Sequence, residues 1–203
     1  AVTDSTLAEQ KKAGITAFIA PTDSPGFTVQ RIIKLFGQVG GDEAELAFDD
    51  LYVEPWQVVG ELNKGFEAAL YGVSLGRIYN SARAVGYGRW AIELALNYAK
   101  TRDAFGSKIA SYLGVTFPLA ESATKLHAAH LMGINAATLL DHGQPAIKEL
   151  SMTKAYSVQV GYAAVDQAMQ THGAMGFTNE IGLTEAWHAL RICLLYTSDA
   201  ADE

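Results

Sequence analysis

Cysteine is nearly absent from this chain. Cys193 has no partner for an internal disulfide, and one thiol among five scattered histidines offers no metal-ligand spacing. His127 and His130, three apart on an apolar stretch, read as structural, so no metal is expected. A lone thiol also fits a reducing compartment, and a cytoplasmic location is expected. Positive charge is scarce: 15 Lys and Arg against 22 Asp and Glu leave a net charge of -7, which argues against nucleic acid as a partner. No apolar run approaches the ~20 residues of a membrane-spanning helix, so no membrane span is expected. The stretch from Ala1 to Gly14 is polar and carries no secretory signal. Position 1 is not Met, and we expect the gene product to be longer than this chain. A phosphate-cradling P-loop, a nucleophile elbow and a zinc motif are also missing. What the chain does have is apolar content of 49% against 18% charged residues, enough for a sizeable core and too much for disorder.

Two halves differ in pattern. Up to about residue 58 the chain reads as strands and turns. Ile15–Ala20 is a β-branched and aromatic run stopped by Pro21–Gly26; Phe27–Ile33 follows; Gly40 and Gly41 mark a turn; Glu45–Val53 is a third strand with Leu46 and Phe48 on one face, closed by Pro55. From Asn63 the period becomes helical. Gly65 to Arg102 holds no proline, and its apolar positions recur three and four apart, so it can form one helix of about 55 Å. Gly72, Gly76, Gly86 and Gly88 in that helix point to close approach by another backbone or a ligand. A break covers Asp103–Gly114. A second helix starts at Pro118 and runs to Asp141, a third runs from Ala146 to about His172, a glycine turn occupies Gly173–Gly176, and a short helix begins near Thr184. The expectation is a mainly α protein: the end of a β-barrel-like domain, residues 1–58, followed by an antiparallel four-helix bundle, residues 59–192.

Two constellations can carry chemistry. Arg102 and Phe105, at the end of the long helix, are three apart and would share a face. An Arg beside an aromatic can clamp a phosphate while the ring covers a flat heterocycle. In the run Gln170, Thr171, His172 and Gly173, Gly173 and Gly176 would let a turn expose backbone N–H groups toward an anion or a carbonyl-rich ring. Taken singly, each has a plainer explanation: a surface Arg favoured by the helix dipole, and an ordinary glycine C-cap.

Their order along the chain adds what neither carries alone. Gly14–Ile19, Pro25-Gly26, Leu46–Val53 with Glu54-Pro55, Gly60-Glu61 with Gly65-Phe66, Arg77, Tyr98–Gly106, Leu119–Glu121 and Gln170–Gly176 form a series that resembles the acyl-CoA dehydrogenase family over residues 14–192. The resemblance implies a middle β domain and a C-terminal four-helix bundle in a homotetramer built as a dimer of dimers. It implies FAD as cofactor, an acyl-CoA thioester as substrate and an electron-transfer flavoprotein as acceptor. By the same carry-over, Arg102 and Phe105 would meet the FAD pyrophosphate and adenine side across a dimer interface. Gln170, Thr171, His172 and Gly173 would line that shared site, and Ser74 and Arg77 would face the CoA-bearing substrate. Arg77 has an alternative, a buried Arg tying helices together.

The chain departs from the family pattern in three places. Tyr112-Leu113 stands where the family often has His-Gln, removing an amide expected near FAD. The turn carries Gly173-Ala174 in place of Gly-Gly. Leu183–Arg191 replaces the usual basic and acidic end of the bundle, as in a divergent bacterial branch. The resemblance places the catalytic carboxylate beyond Ile192, or, in a minority of members, near Arg77, where this chain has Gly76. No catalytic residue is therefore expected in this chain. Cys193–Glu203 matches no part of the family and reads as a translated sequencing adapter, so the bundle is expected to stop at Ile192; in that case Cys193 carries no compartment information. Two other functions share the fold or the features: an acyl-CoA oxidase or nitroalkane oxidase relative passing electrons to oxygen, and a non-catalytic helical oligomerisation module.

Overall fold

A computed structural model describes residues 1–10, 13–36 and 42–194. The turn expected at Gly40-Gly41 and all but Cys193 and Leu194 of the expected foreign tail lie outside the described residues. The chain forms two compact units, residues 1–73 and from 74 onward.

The first unit opens with α1 (Ser5–Glu9), which the polar composition of Ala1–Gly14 had not disclosed. Its start is set by Asp4, whose carboxylate accepts from the Leu7 N–H at 3.0 Å, satisfying one orphan donor of the first turn. The strands are β1 (Ala17–Phe18), β2 (Phe27–Ile33), β3 (Glu43–Phe48) and β4 (Val58–Val59). β2 and β3 form one antiparallel pair, with Phe27 opposite Phe48 and Val29 opposite Leu46. The two Phe rings meet edge to face at 5.5 Å, a favoured aromatic geometry. β1 and β4 form another pair. Among the described residues these are open two-stranded pairs with no closed barrel.

Strand lengths differ from the sequence expectation. Of Ile15–Ala20 only Ala17–Phe18 is strand, and the third strand stops at Phe48 because Asp50 turns the chain with φ 47°. The buried polar residues here are all engaged. Thr16 Oγ1 pairs with Thr3 Oγ1 at 2.7 Å and accepts from Asn63 N at 2.8 Å; Gln57 Nε2 donates to the Ile19 carbonyl at 2.9 Å.

The helical unit is carried by α2 (Gly65–Thr101), one continuous helix as its proline-free pattern predicts. A two-stranded hairpin follows, β5 (Asp103–Ala104) and β6 (Ser107–Lys108), where the sequence had shown only a break. The bundle then continues with α3 (Leu113–Asp141), α4 (Ile147–His172) and α5 (Leu183–Cys193). α3 begins at Leu113, not at Pro118. Pro118 lies inside the helix, at a place where its missing N–H would have met the carbonyl of Gly114, and exposed Gly114 can give that carbonyl to water.

The core of this unit is where the helices face one another. Ala84, Ala91 and Ala95 of α2, Leu119 and Leu126 of α3, Val158 and Val165 of α4, and Leu183 and Leu190 of α5 are all at most 5% exposed. Each large aliphatic side chain buried this way contributes about 1.5–3 kcal/mol. Small residues set the separation of α2 and α4. A Cβ on Gly161 would sit 2.4 Å from the Ala84 carbonyl oxygen, and one on Gly88 would sit 2.5 Å from Leu126 Cδ2 and 3.3 Å from Gly161 Cα. The close approach read from the α2 glycines is therefore real at Gly88. At Gly72, Gly76 and Gly86 a Cβ would meet nothing within 4 Å.

Candidate functional site

The first constellation forms where α2 ends. Thr101 closes the helix by turning its hydroxyl back to the Tyr98 carbonyl at 3.0 Å. Lys108 Nζ donates to the Thr101 carbonyl at 2.9 Å and pairs with Asp103 Oδ2 at 2.6 Å, placing positive charge at the negative end of the helix dipole. Arg102 is the residue of departure: its N–H still bonds the Tyr98 carbonyl, and its own carbonyl accepts from Ile109 N, both at 2.9 Å. Its backbone is thus fixed on both sides, while its guanidinium is exposed and makes no ion pair among the described residues.

Phe105 is not on a helical face with Arg102, as the spacing had implied. It occupies the hairpin tip with Gly106, at φ 53° and 82°, the paired positive values of a type I′ turn. Glycine or asparagine is the usual choice there; an aromatic is not. The Phe105 ring is 98% exposed. The hydroxyl of Tyr112, at the start of α3, donates to the carbonyls of Ala104 (2.9 Å) and Phe105 (3.2 Å), bracing the tip from below.

The second constellation is the C-terminal turn of α4. Gly173 ends the helix with φ 60°, ψ −136°, a conformation that L side chains rarely adopt, and its Cα faces open space. A single-turn helix, Gly173–Phe177, then folds back so tightly that a Cβ on Gly176 would lie 2.2 Å from the Met169 carbonyl oxygen. Gln170 is exposed. Thr171 is half-buried and its hydroxyl donates to the Gln167 carbonyl at 2.8 Å. His172 turns inward: it is 7% exposed and its Nδ1 lies 2.7 Å from the Ala168 carbonyl. A carbonyl can only accept, so Nδ1 carries the proton.

One contact brings the two groups together. The Tyr98 and His172 rings stack at 4.5 Å with a 28° interplanar angle. α3 reverses direction between α2 and α4, so both C-terminal ends finish at one end of the bundle, α2 leading there into Arg102 and the Phe105 hairpin and α4 into Gly173. Sequence reasoning gave no role to Tyr98 or Lys108 and read Tyr112 only as a loss. Tyr98 stands one turn before Arg102 on the same helix, and that spacing is the signal that could have found it.

Ser74 and Arg77 lie elsewhere. Twenty-five residues of α2 separate Arg77 from Arg102, about 37 Å of helix. Arg77 is 7% exposed, and its carbonyl accepts from Ser81 Oγ at 2.7 Å. No group of three His, Cys, Asp or Glu that could hold a metal ion is present among the described residues, and no described helix is long and apolar enough to cross a membrane.

The donor set at the bundle end suits a dinucleotide. Arg102 offers an unpaired cation, Phe105 an uncovered aromatic face, and the Gly173 turn an approach free of side chain. An anionic linker beside a planar heterocycle matches all three.

Comparison with known proteins gives the same class. Residues 63–197 match the model of the acyl-CoA dehydrogenase C-terminal domain. The chain is 37% identical to the probable acyl-CoA dehydrogenase YngJ of Bacillus subtilis over 169 residues, 83% of this chain and 44% of that protein. It is 33% identical to the caffeyl-CoA reductase-Etf complex subunit CarC of Acetobacterium woodii, covering 90% of this chain and 48% of that one. The structure of butyryl-CoA dehydrogenase from Megasphaera elsdenii superposes with a TM-score of 0.88 at 28% identity, over 99% of this chain and 52% of that one. The chain spans about half the length of the curated relatives it matches. It belongs to the acyl-CoA dehydrogenase family, FAD-dependent oxidoreductases that are typically homotetrameric.

Proposed function

We propose that the chain supplies the adenylate-gripping half of an FAD site in an acyl-CoA dehydrogenase. The observation that carries this is an unpaired Arg102 at the base of a hairpin whose tip exposes Phe105, at the same bundle end as the Gly173 turn. Arg102 would neutralise the pyrophosphate, and Phe105 would cover the adenine. Gln170 and Thr171 would line the dinucleotide, with Gly173 admitting it closely. His172, held by the Ala168 carbonyl and the Tyr98 ring, would fix the wall behind them. Bound FAD supplies the hydride acceptor for α,β-dehydrogenation of an acyl thioester.

These groups face outward, so the reading includes a second copy of the chain completing each site, in a dimer of dimers. Ser74 and Arg77 would lie toward the CoA-bearing substrate. α2 offers no base there: its carboxylates are Glu67 and Glu93, both more than two turns from Arg77. We assign the α-proton to a carboxylate that is not among the 203 residues, and this chain alone would then be inactive. An electron-transfer flavoprotein as acceptor is supported by the Etf partnership in the name of CarC.

The test is direct. The purified intact protein should show a flavin absorption band and reduce an acceptor dye when given an acyl-CoA, with slow reoxidation by air. A colourless protein sinks the reading, and rapid air reoxidation moves it to an oxidase. Dye reduction by the 203-residue chain alone would overturn the assignment of the base.

A further inference from the structure

We infer that Tyr112 is a positioning residue for the cofactor, holding the Asp103–Lys108 hairpin in the form that receives the adenylate half of FAD; this rests on the function proposed above. The hairpin has little to hold it on its own account. Its ladder is two residue pairs long, and a two-stranded ribbon of that size is at best marginal in water. Its tip is strained, because Phe105 sits at φ 53°, where Cβ crowds the following carbonyl. Such a conformation persists only where its surroundings over-determine it.

Two clamps do so. Lys108 closes the open end through Asp103 and the Thr101 carbonyl, but both side chains are at least half exposed and their attraction is screened by salt. Tyr112 acts at the tip itself. Its single hydroxyl proton is shared between the Ala104 carbonyl at 2.9 Å and the Phe105 carbonyl at 3.2 Å. Those are the two carbonyls that flank the strained residue on either side of its Cα. The ring is half-buried, and its backbone is locked: the Tyr112 N–H bonds the Ile109 carbonyl, and its own carbonyl accepts from Val115 and Thr116 in the first turn of α3. The hydroxyl therefore ties the hairpin tip to a rigid helix. The hydroxyl acts through Phe105, whose carbonyl and preceding carbonyl it holds.

The intact protein tests this with four forms: wild type, Tyr112→Phe, Phe105→Ala and the double variant. FAD and FMN affinities are measured by flavin fluorescence on apoprotein, with the thermal midpoint as a fold control. FMN lacks the adenylate, so it does not report on Phe105. Tyr112→Phe should weaken FAD binding about five- to tenfold, the scale of one hydrogen bond. FMN affinity should not change, and the double variant should bind FAD no more weakly than Phe105→Ala. In apoprotein, amide exchange at Ser107, which faces Ala104 across the tip, and at Ile109, whose N–H bonds the Arg102 carbonyl, should speed up in Tyr112→Phe, a readout independent of flavin. Unchanged FAD affinity in Tyr112→Phe, equal losses for FAD and FMN, losses that multiply in the double variant, or unchanged exchange would each overturn the positioning role. A wild-type protein that binds neither flavin overturns the proposed function, and this inference with it.

Discussion

Tyr98 and His172 stack face to face, with ring centroids 4.5 Å apart, and this contact sets α2 beside α4 at the end where the candidate site lies. The His172 Nδ1–H is committed to the Ala168 carbonyl, so the imidazole cannot rotate away without losing that bond. In a double-mutant cycle of Tyr98→Leu and His172→Ala on thermal unfolding, the coupling should be about 0.5–1.5 kcal/mol. Strict additivity would show that the stack holds nothing.

Arg102 discriminates a binding role from a structural one. Its guanidinium is exposed and unpaired among the described residues, so Arg102→Ala should leave the unfolding midpoint of the flavin-free intact protein in place. A charge-assisted bond to a phosphate is worth about 1.5–3 kcal/mol, so FAD affinity should drop roughly 10- to 100-fold. Flavin titration beside a melting curve reads both. A lowered midpoint with normal flavin binding would return Arg102 to a helix-capping role.

The glycines of the bundle should separate by what faces them. Gly161→Ala forces a Cβ to within 2.4 Å of backbone at Ala84, which α2 and α4 can relieve only by moving apart. A loss of about 1–3 kcal/mol or more is expected in denaturant unfolding. Gly88→Ala meets the tip of Leu126, which can change rotamer, and should cost less. Gly86→Ala meets nothing within 4 Å and should gain up to about 1 kcal/mol from helix propensity. The ranking is the prediction; an intolerant Gly86 would contradict it.

Alkaline stability should depend on Tyr162. The phenol is half-buried beside Trp187, whose Nε1 donates to Asp166 at 3.1 Å. Burial raises the Tyr162 pKa above its ordinary value of 10.0; the Asp166 carboxylate pushes the same way and Arg191 opposes. The fold therefore favours the neutral phenol. Well below pH 10 folded and unfolded chains both keep the proton, and nothing changes with pH. As pH rises through that value the unfolded chain ionises first and holds fewer protons, so stability falls until the folded group also ionises. Tyr162→Phe should flatten this decline relative to wild type, and identical alkaline profiles would rule the effect out.

Much of the bundle was legible in the sequence because its signals are local. α2 follows from a proline-free helical period, and Gly173 marks the end of α4 because few other residues adopt its backbone angles. The start of α3 was misplaced because Pro118 mimics a first-turn proline, and the chain does not show that the Gly114 carbonyl can do without its partner. The hairpin after α2 was invisible for a different reason. Phe105-Gly106 is an atypical type I′ pair, and the hydroxyl that stabilises it comes from Tyr112, outside the hairpin.

By itself the sequence determined the family, the helical elements and the kinds of group available for a cofactor: a cation, an aromatic and a glycine turn. These depend on residue identity and on spacing within a turn or two. Tertiary structure decided that the two constellations finish at one end of the bundle, that His172 faces in and Phe105 out, and that Tyr112 braces the tip. Those outcomes follow from how closely α2, α3 and α4 pack, which Gly161, Gly88 and the Tyr98–His172 stack set between residues far apart in the chain.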